Sequence, residues 1–235
     1  MKILFIVPYA PSLIRVRPYN FLCALARQGH ELTVATLWCD EDERTVLDEL
    51  ASDGVRIIAH QLVKGRSVWN SLRALPSRQP IQAHYAWHPG LAASIKTELA
   101  TNSYDVVHVE HLRGAIYGVH ARKALERDGR SVPIVWDSVD SISHLFSQAS
   151  QHSWSAKGRL ITKLELGRTR RSEEALPKLF DRVLVTSAID RAAFMDLSDE
   201  PEVVSRRIAV VPNGVDTHYF KPDLARIEAP TLVVS

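Results

Sequence analysis

The chain has 235 residues, 46% of them hydrophobic and 24% charged, with a formal net charge of +2. That is enough to bury a large core in one or two domains, it is the balance of an ordinary soluble globular protein, and its charge calls for no nucleic-acid partner. Cys23 and Cys39 lack metal or redox spacing and read as reduced, buried thiols of a cytoplasmic protein.

Ile3 to Val7 is a continuous apolar run, as a strand covered on both faces requires, and Pro8 ends it too early for a signal-peptide core or a membrane span. Arg17-Pro18 opens a helix with Phe21, Leu22 and Leu25 on one side, and Gly29 sits where its C-terminal cap belongs. Leu32 to Leu37 is the next strand, Glu43 to Ser52 the next helix, stopped by Gly54, and Val55 to Ile58 the third strand. This β-α-β-α-β series with tight connections implies a parallel sheet with right-handed crossovers.

Lys64 to Pro89 reads as an excursion from the sheet, with one or two short helices that align Val68, Leu72 and Leu75. Pro89 then starts a helix with Leu91, Ile95 and Leu99 at four-residue spacing. Val106 to Val109 is strand four, Gly114 to Arg127 a helix ended by Gly129, and Ile134 to Trp136 strand five. After a polar loop comes a long basic helix from Ser155 to Leu176, then strand six at Val183 to Val185. Ser187 and Asp190 form a capping box for a helix through Met195, and Ile208 to Val211 is strand seven. Ala229 to Ser235 begins a further strand with no helix after it, which reads as a cut just inside a second domain. The predicted fold class is α/β, a Rossmann-like doubly wound parallel sheet of about seven strands.

Neither G-x-G-x-x-G nor G-x-x-x-x-G-K-[ST] occurs, so dinucleotide and P-loop chemistry lack their phosphate cradles. Without a G-x-S-x-G elbow, Ser138 has no spaced His and Asp partners to make it a nucleophile. His84 and His88 have the spacing of metal ligands on a helix, but Pro89 follows directly and no carboxylate is near, so no metal is assigned. What remains gathers at strand ends. Tyr9, Arg15 and Arg17 follow strand one, Glu110 and His111 strand four, Asp137 and Asp140 strand five, Thr186 and Ser187 strand six, and Asn213, Gly214 and Asp216 strand seven. Each alone is equally a turn or cap. Together they would crowd one edge of the sheet as a mixed-charge rim suited to a hydroxyl-rich ligand.

The segments FDRVLVTSAIDRAAF and IAVVPNGVDTHYFKP resemble the close of the N-terminal domain of retaining GT-B glycosyltransferases of family 4. VPYAP, FLCALARQGHELTV and DVVHVEH resemble that domain's first two strands and its fourth. WDSVDSIS and the E-x-x-R-x-R-R-x-E spacing from Glu165 to Glu173 are similar to bacterial exopolysaccharide sugar transferases. The resemblance implies two Rossmann-like domains facing a cleft, with 1–228 the acceptor-side domain and 229–235 the start of a truncated donor-binding domain. It implies sugar transfer from a nucleotide-sugar donor to a glycan or lipid-linked acceptor, with no metal, no cofactor in this fragment and no turnover by the fragment alone.

In such relatives a His that touches the donor sugar often precedes the Asp after strand five. Val139 stands at that position here, which leaves Asp140 as the catalytic candidate. Tyr9, Arg15, Arg17, Glu110, His111, Asp137, Ser187, Asn213 and Gly214 become the substrate-binding set, with Glu110 placed to accept a hydrogen bond from the attacking hydroxyl. Pro8-Tyr9-Ala10-Pro11-Ser12 replaces the Gly-Gly that many relatives use near the donor diphosphate. The basic helix carries Leu160, Ile161 and Leu164 among Lys157, Arg159, Lys163, Arg168, Arg170 and Arg171. It reads as a solvated face over a packing stripe, or, given lipid-linked acceptors, as a peripheral contact with an anionic membrane at the inner face. The alternatives are a stand-alone α/β binding or regulatory domain, and half of a GT-B nucleotide-sugar epimerase.

Overall fold

A computed structural model describes residues 1–151, 156–215 and 217, with the side chains of 149–151 and 156–163 left aside. In chain order the elements are β1 (Lys2–Val7), α1 (Val16–Arg27), β2 (Glu31–Trp38), α2 (Glu41–Ser52), β3 (Arg56–Gln61), α3 (Lys64–Ala74), α4 (Ile81–Tyr85) and α5 (Pro89–Thr101). There follow β4 (Val106–Glu110), α6 (His111–Arg127), β5 (Ile134–Val139), α7 (Ile142–Gln151), α8 (Ala156–Leu179), β6 (Arg182–Val185), α9 (Ala188–Asp196), α10 (Pro201–Arg207) and β7 (Ile208–Val210).

The seven strands form one sheet in the order β3-β2-β1-β4-β5-β6-β7, and every pairing is parallel. Strand order therefore reverses between β1 and β4, the crevice where a doubly wound sheet opens to ligands. Alternate residues of β1 serve two cores. Ile3, Phe5 and Val7 pack with Leu22 of α1 and with Leu47 and Leu50 of α2, while Leu4 and Ile6 join Leu91 and Ile95 of α5 and Tyr117 of α6 on the other side. Gly29, Gly54 and Gly129 stop their helices with positive φ, as expected. Gly114 lets α6 lie close beneath the end of β1, since an added Cβ would come 3.1 Å from a Val109 methyl and 3.5 Å from Ile6 O.

The sheet and its helices match the expectation, and several details correct it. β5 runs on through Asp137 and Ser138, and α6 starts at His111 rather than Gly114. The stretch after Asp140, read as a polar loop, contains α7, and α10 was not foreseen. Val68, Leu72 and Leu75 do align on α3, but they face solvent. Cys39 is exposed and Cys23 half-buried, both free. Among the described residues no helix is long and apolar enough to cross a membrane. The further strand at Ala229 to Ser235 lies outside the described residues, as do the side chains of Lys157, Arg159, Leu160, Ile161 and Lys163.

Candidate functional site

Arg17, in the first turn of α1, turns inward. Its side chain is 7% exposed and its partner Asp137 0% exposed, with Arg17 Nε donating to Asp137 Oδ2 at 2.9 Å. Nη1 of the same guanidinium donates to Val211 O at 3.0 Å and to Asn213 Oδ1 at 2.9 Å. The guanidinium also lies 4.8 Å from the Phe21 ring centre. One cation thus joins the start of α1, the end of β5 and the loop after β7.

Beneath it the sheet supplies two more polar groups. His108 and Glu110 are two apart on β4 and so share a face, with His108 in register with Phe5 and Glu110 with Asp137. His108 Nε2 is 3.5 Å from Glu110 Oε2 and 3.8 Å from Asp137 Oδ2, and its ring packs 4.5 Å from that of Phe5. The ligand atoms of His108, Glu110 and Asp137 lie within 4.8 Å of one another, a grouping that could receive a metal ion. Here the Arg17 guanidinium already answers the Asp137 charge. Tyr9 closes the group from above, its hydroxyl donating to Glu110 Oε1 at 3.4 Å.

Burial first, and then the Asp137 charge, holds the Glu110 carboxyl above its usual range. Its contribution to stability is therefore full below its unfolded value near 4.5 and is lost as pH rises through the folded value. Glu110→Gln is expected to remove that loss. Urea titrations of the two proteins should agree in acid and separate toward neutral pH with the variant more stable; the reverse order would contradict the assignment.

The strand ends themselves are bent sharply. Val139 has φ 69° and His111 φ 62°, and the pairing of β5 with β6 shifts register between Asp137 and Val139. A β-branched residue in this left-handed region costs about 1–3 kcal/mol and persists only where neighbours hold it. Asp137 Oδ1 accepts from Val139 N at 3.2 Å, and Thr186 N donates to Val139 O at 2.8 Å. The bend brings up a half-buried Asp140, whose Oδ1 accepts from Thr186 Oγ1 at 2.8 Å. At His111 the carbonyl accepts from Trp136 Nε1 at 3.1 Å and ring Nδ1 accepts from Arg113 N at 3.4 Å. Burial, with Arg113 adding to it, lowers the His111 pKa to about 4. The imidazole is thus neutral at pH 7, with its hydrogen on Nε2 as a donor. Tyr9, His111 and Asp140 thus follow the adjacent strands β1, β4 and β5.

Of the residues expected from sequence, Arg17, Asp137, Asn213, Glu110, Tyr9 and His111 come together around the switch point. Arg15 turns aside to Glu43 at 2.8 Å and to Ala10 O at 3.3 Å, with its guanidinium 5.0 Å from the Tyr9 ring centre. Ser187 is the N-cap of α9, its hydroxyl accepting from Asp190 N and donating to Asp190 Oδ2. Gly214 is exposed, and Asp216 lies outside the described residues. His84 bonds to Gln79 Oε1 at 2.5 Å, and His88 caps α5.

One residue, His108, escaped the sequence reading, and Glu173 was named only as part of a motif, without a role. His108 was absorbed into an apolar run, although its two-residue offset from Glu110 marks the shared face. Glu173 of α8 is buried and accepts from Ile142 N at 2.6 Å, Ser143 N at 3.2 Å and Ser141 Oγ at 3.1 Å. It thereby fixes the turn that follows Asp140. The stripe Glu165, Thr169 and Glu173, all buried at four-residue spacing, was its visible signal.

The sequence model described as Glycosyltransferase Family 4 matches residues 15–219. The chain belongs to glycosyltransferase family 4. The matched range of this family-4 domain takes in the Arg17–Asp137–Asn213 clamp, the His108–Glu110 pair and the Asp140 turn. It leaves β1 and the Tyr9 loop outside. Among solved structures, the family-4 domain is similar to a UDP-glucosyltransferase from Polygonum tinctorium, with 12% identity and a TM-score of 0.46 over 90% of this chain and 52% of that one. It is similar also to TcCGT1 in complex with UDP, with 10% identity and a TM-score of 0.48 over 100% of this chain and 53% of that one. The chain spans about half the length of these structures. No curated protein matches it.

Proposed function

We propose that this chain is the acceptor-binding half of a retaining glycosyltransferase. It moves a sugar from a nucleotide-sugar donor to a glycan or lipid-linked acceptor, and a second lobe closes the open edge and holds most of the donor. The observation that carries this reading is the set of hydroxyl-recognising groups at the switch point of a family-4 domain. Tyr9, His111 and Asp140 follow β1, β4 and β5, three neighbouring strands of the sheet, beside the buried Arg17–Asp137 pair.

Glu110 sits behind Tyr9, so its part is to orient the phenol while Tyr9 meets the ligand. Burial, then the Glu110 charge, raises the phenol's pKa, so Tyr9 stays protonated and gives its one hydrogen to Glu110. Asp140 is assigned the place beside the reacting sugar, because it directly follows the bend at Val139 after β5 and is half-buried. The leaving diphosphate draws its stabilisation from the second lobe, because this chain carries no glycine-rich phosphate cradle.

Saturation-transfer NMR on the chain, against oligosaccharides and nucleotide sugars in turn, tests this reading. Oligosaccharide signals are expected, weakened by Asp140→Asn and by His111→Ala, with no sugar transfer by the chain alone. Tight binding of nucleotide sugars with no response to any glycan would overturn it.

A further inference from the structure

Arg17, Arg113, Arg122 and Arg191 each have a buried guanidinium nitrogen with no hydrogen-bond partner among the described residues. Through their other nitrogens Arg17 meets Asp137, Arg122 meets Asp181 and Arg191 meets Ser205. Arg113 differs. Among the described residues no oxygen accepts a hydrogen bond from its guanidinium, although the residue is half-buried and its Nε is shielded from solvent.

Its position makes this costly. Arg113 is the third residue of α6, whose first turn holds no acid, so its cation sits at the positive end of the helix. The carboxylates of the crevice are already engaged. Glu110 takes the Tyr9 hydroxyl, Asp137 pairs with Arg17, and Asp140 accepts from Thr186. A shielded donor in such a place lowers stability unless a group from outside the domain answers it.

The surroundings fit an anion carried on a sugar. The guanidinium lies 5.5 Å from the Tyr85 ring centre. Tyr85, at the end of α4, is 42% exposed, and its carbonyl accepts from Asn70 Nδ2 of α3 at 3.3 Å, which fixes that end. On the other side Arg113 N donates to His111 Nδ1, and the His111 ring stands edge-on to that of Tyr9, 6.5 Å between centres. The Arg113 charge acts on both of these, helping to keep the imidazole neutral and partly offsetting the rise of the phenol. An exposed aromatic ring beside an unpaired guanidinium offers an apolar surface and charged N–H donors, which match the ring and the oxyanion of an acidic sugar.

We propose that Arg113 receives an oxyanion of the acceptor, a sugar carboxylate or a sugar phosphate, with Tyr85 against the sugar ring. Arg113 is then a specificity residue, and the excursion between β3 and α5 belongs to the binding rim. The proposal rests on the acceptor-binding reading and adds the charge of the acceptor.

NMR titrations of the chain with matched probes test it: trigalacturonate against its methyl ester, glucose 1-phosphate against glucose, and inorganic phosphate. At least one acidic sugar is expected to bind about tenfold or more tightly than its neutral match, and less tightly as salt is added. Whichever acid shows the preference identifies carboxylate or phosphate as the source. Arg113→Gln should abolish the preference, and Arg113→Lys should keep part of it. In Arg113→Gln the His111 pKa should rise, and thermal melting should show no loss of stability, because no partner is lost and the helix end sheds a cation. Acidic sugars that bind no better than their neutral matches overturn the proposal, as does a preference that survives Arg113→Gln. So does inorganic phosphate that binds as tightly as the preferred acidic sugar, and so does a glutamine variant that melts well below the parent, which would make Arg113 structural. Neutral sugars that still bind in those cases leave the acceptor reading standing, whereas a chain that binds no sugar of either kind overturns both.

Discussion

Replacing Arg17 by methionine is expected to destabilise the domain by about 3–5 kcal/mol, a large share of the total stability of an ordinary domain. Methionine keeps much of the apolar stem that packs on Phe21 but removes the cation. Asp137 would then be a carboxylate with no exposed surface and no counter-charge, while Val211 O and Asn213 Oδ1 would lose their donor. Lysine is not a substitute, because one ammonium cannot span the three acceptors that the planar guanidinium reaches. Adding Asp137→Asn to Arg17→Met should recover part of the loss, since it removes the stranded charge. Urea denaturation of the two single variants and the double variant measures this. A cost under about 1 kcal/mol for Arg17→Met would mean that the buried pair does not hold the site together.

Glu173→Ala should cost about 2–4 kcal/mol and act locally. Its carboxylate takes the backbone N–H groups of Ile142 and Ser143 and the hydroxyl of Ser141, all buried, at the positive end of α7. Alanine would leave these donors unpaired in a dry setting. Glu173→Gln retains one acceptor and should cost less than half as much. Hydrogen exchange read by mass spectrometry should speed up across Ser141 to Leu145 in the alanine variant and stay unchanged in β1 and β2. Uniform acceleration throughout the sheet would contradict a local role. Because the same turn presents Asp140, the variant should also lose binding of any ligand that Asp140 contacts.

The sheet was legible because its strands are built on apolar runs and three of its helices, α1, α2 and α6, end at glycines. The site was legible as an edge, since the polar residues that terminate those runs must meet once the strands are parallel. Its depth was not. Arg17, Glu110 and Asp137 read as ligand-facing groups, yet the guanidinium pairs with Asp137 in the interior and Glu110 is buried on the neighbouring strand in register with it. Val139 was beyond sequence reasoning, because a β-branched residue is the least suited to the conformation it adopts. The same holds for α7, whose start is capped by a glutamate 31 residues away from Ile142. For α3 the periodicity revealed a face, but periodicity carries no sign, and only burial tells which face is inward.

Asn213 is anchored by an arginine 196 positions earlier in the chain. The backbone leaving β7 cannot swivel at that point without breaking the hydrogen bonds that Arg17 makes to Val211 O and Asn213 Oδ1. Its exit direction is therefore dictated by the opening turn of the first helix. Motions of whatever follows would have to pivot beyond that anchor, on the exposed glycine next to it.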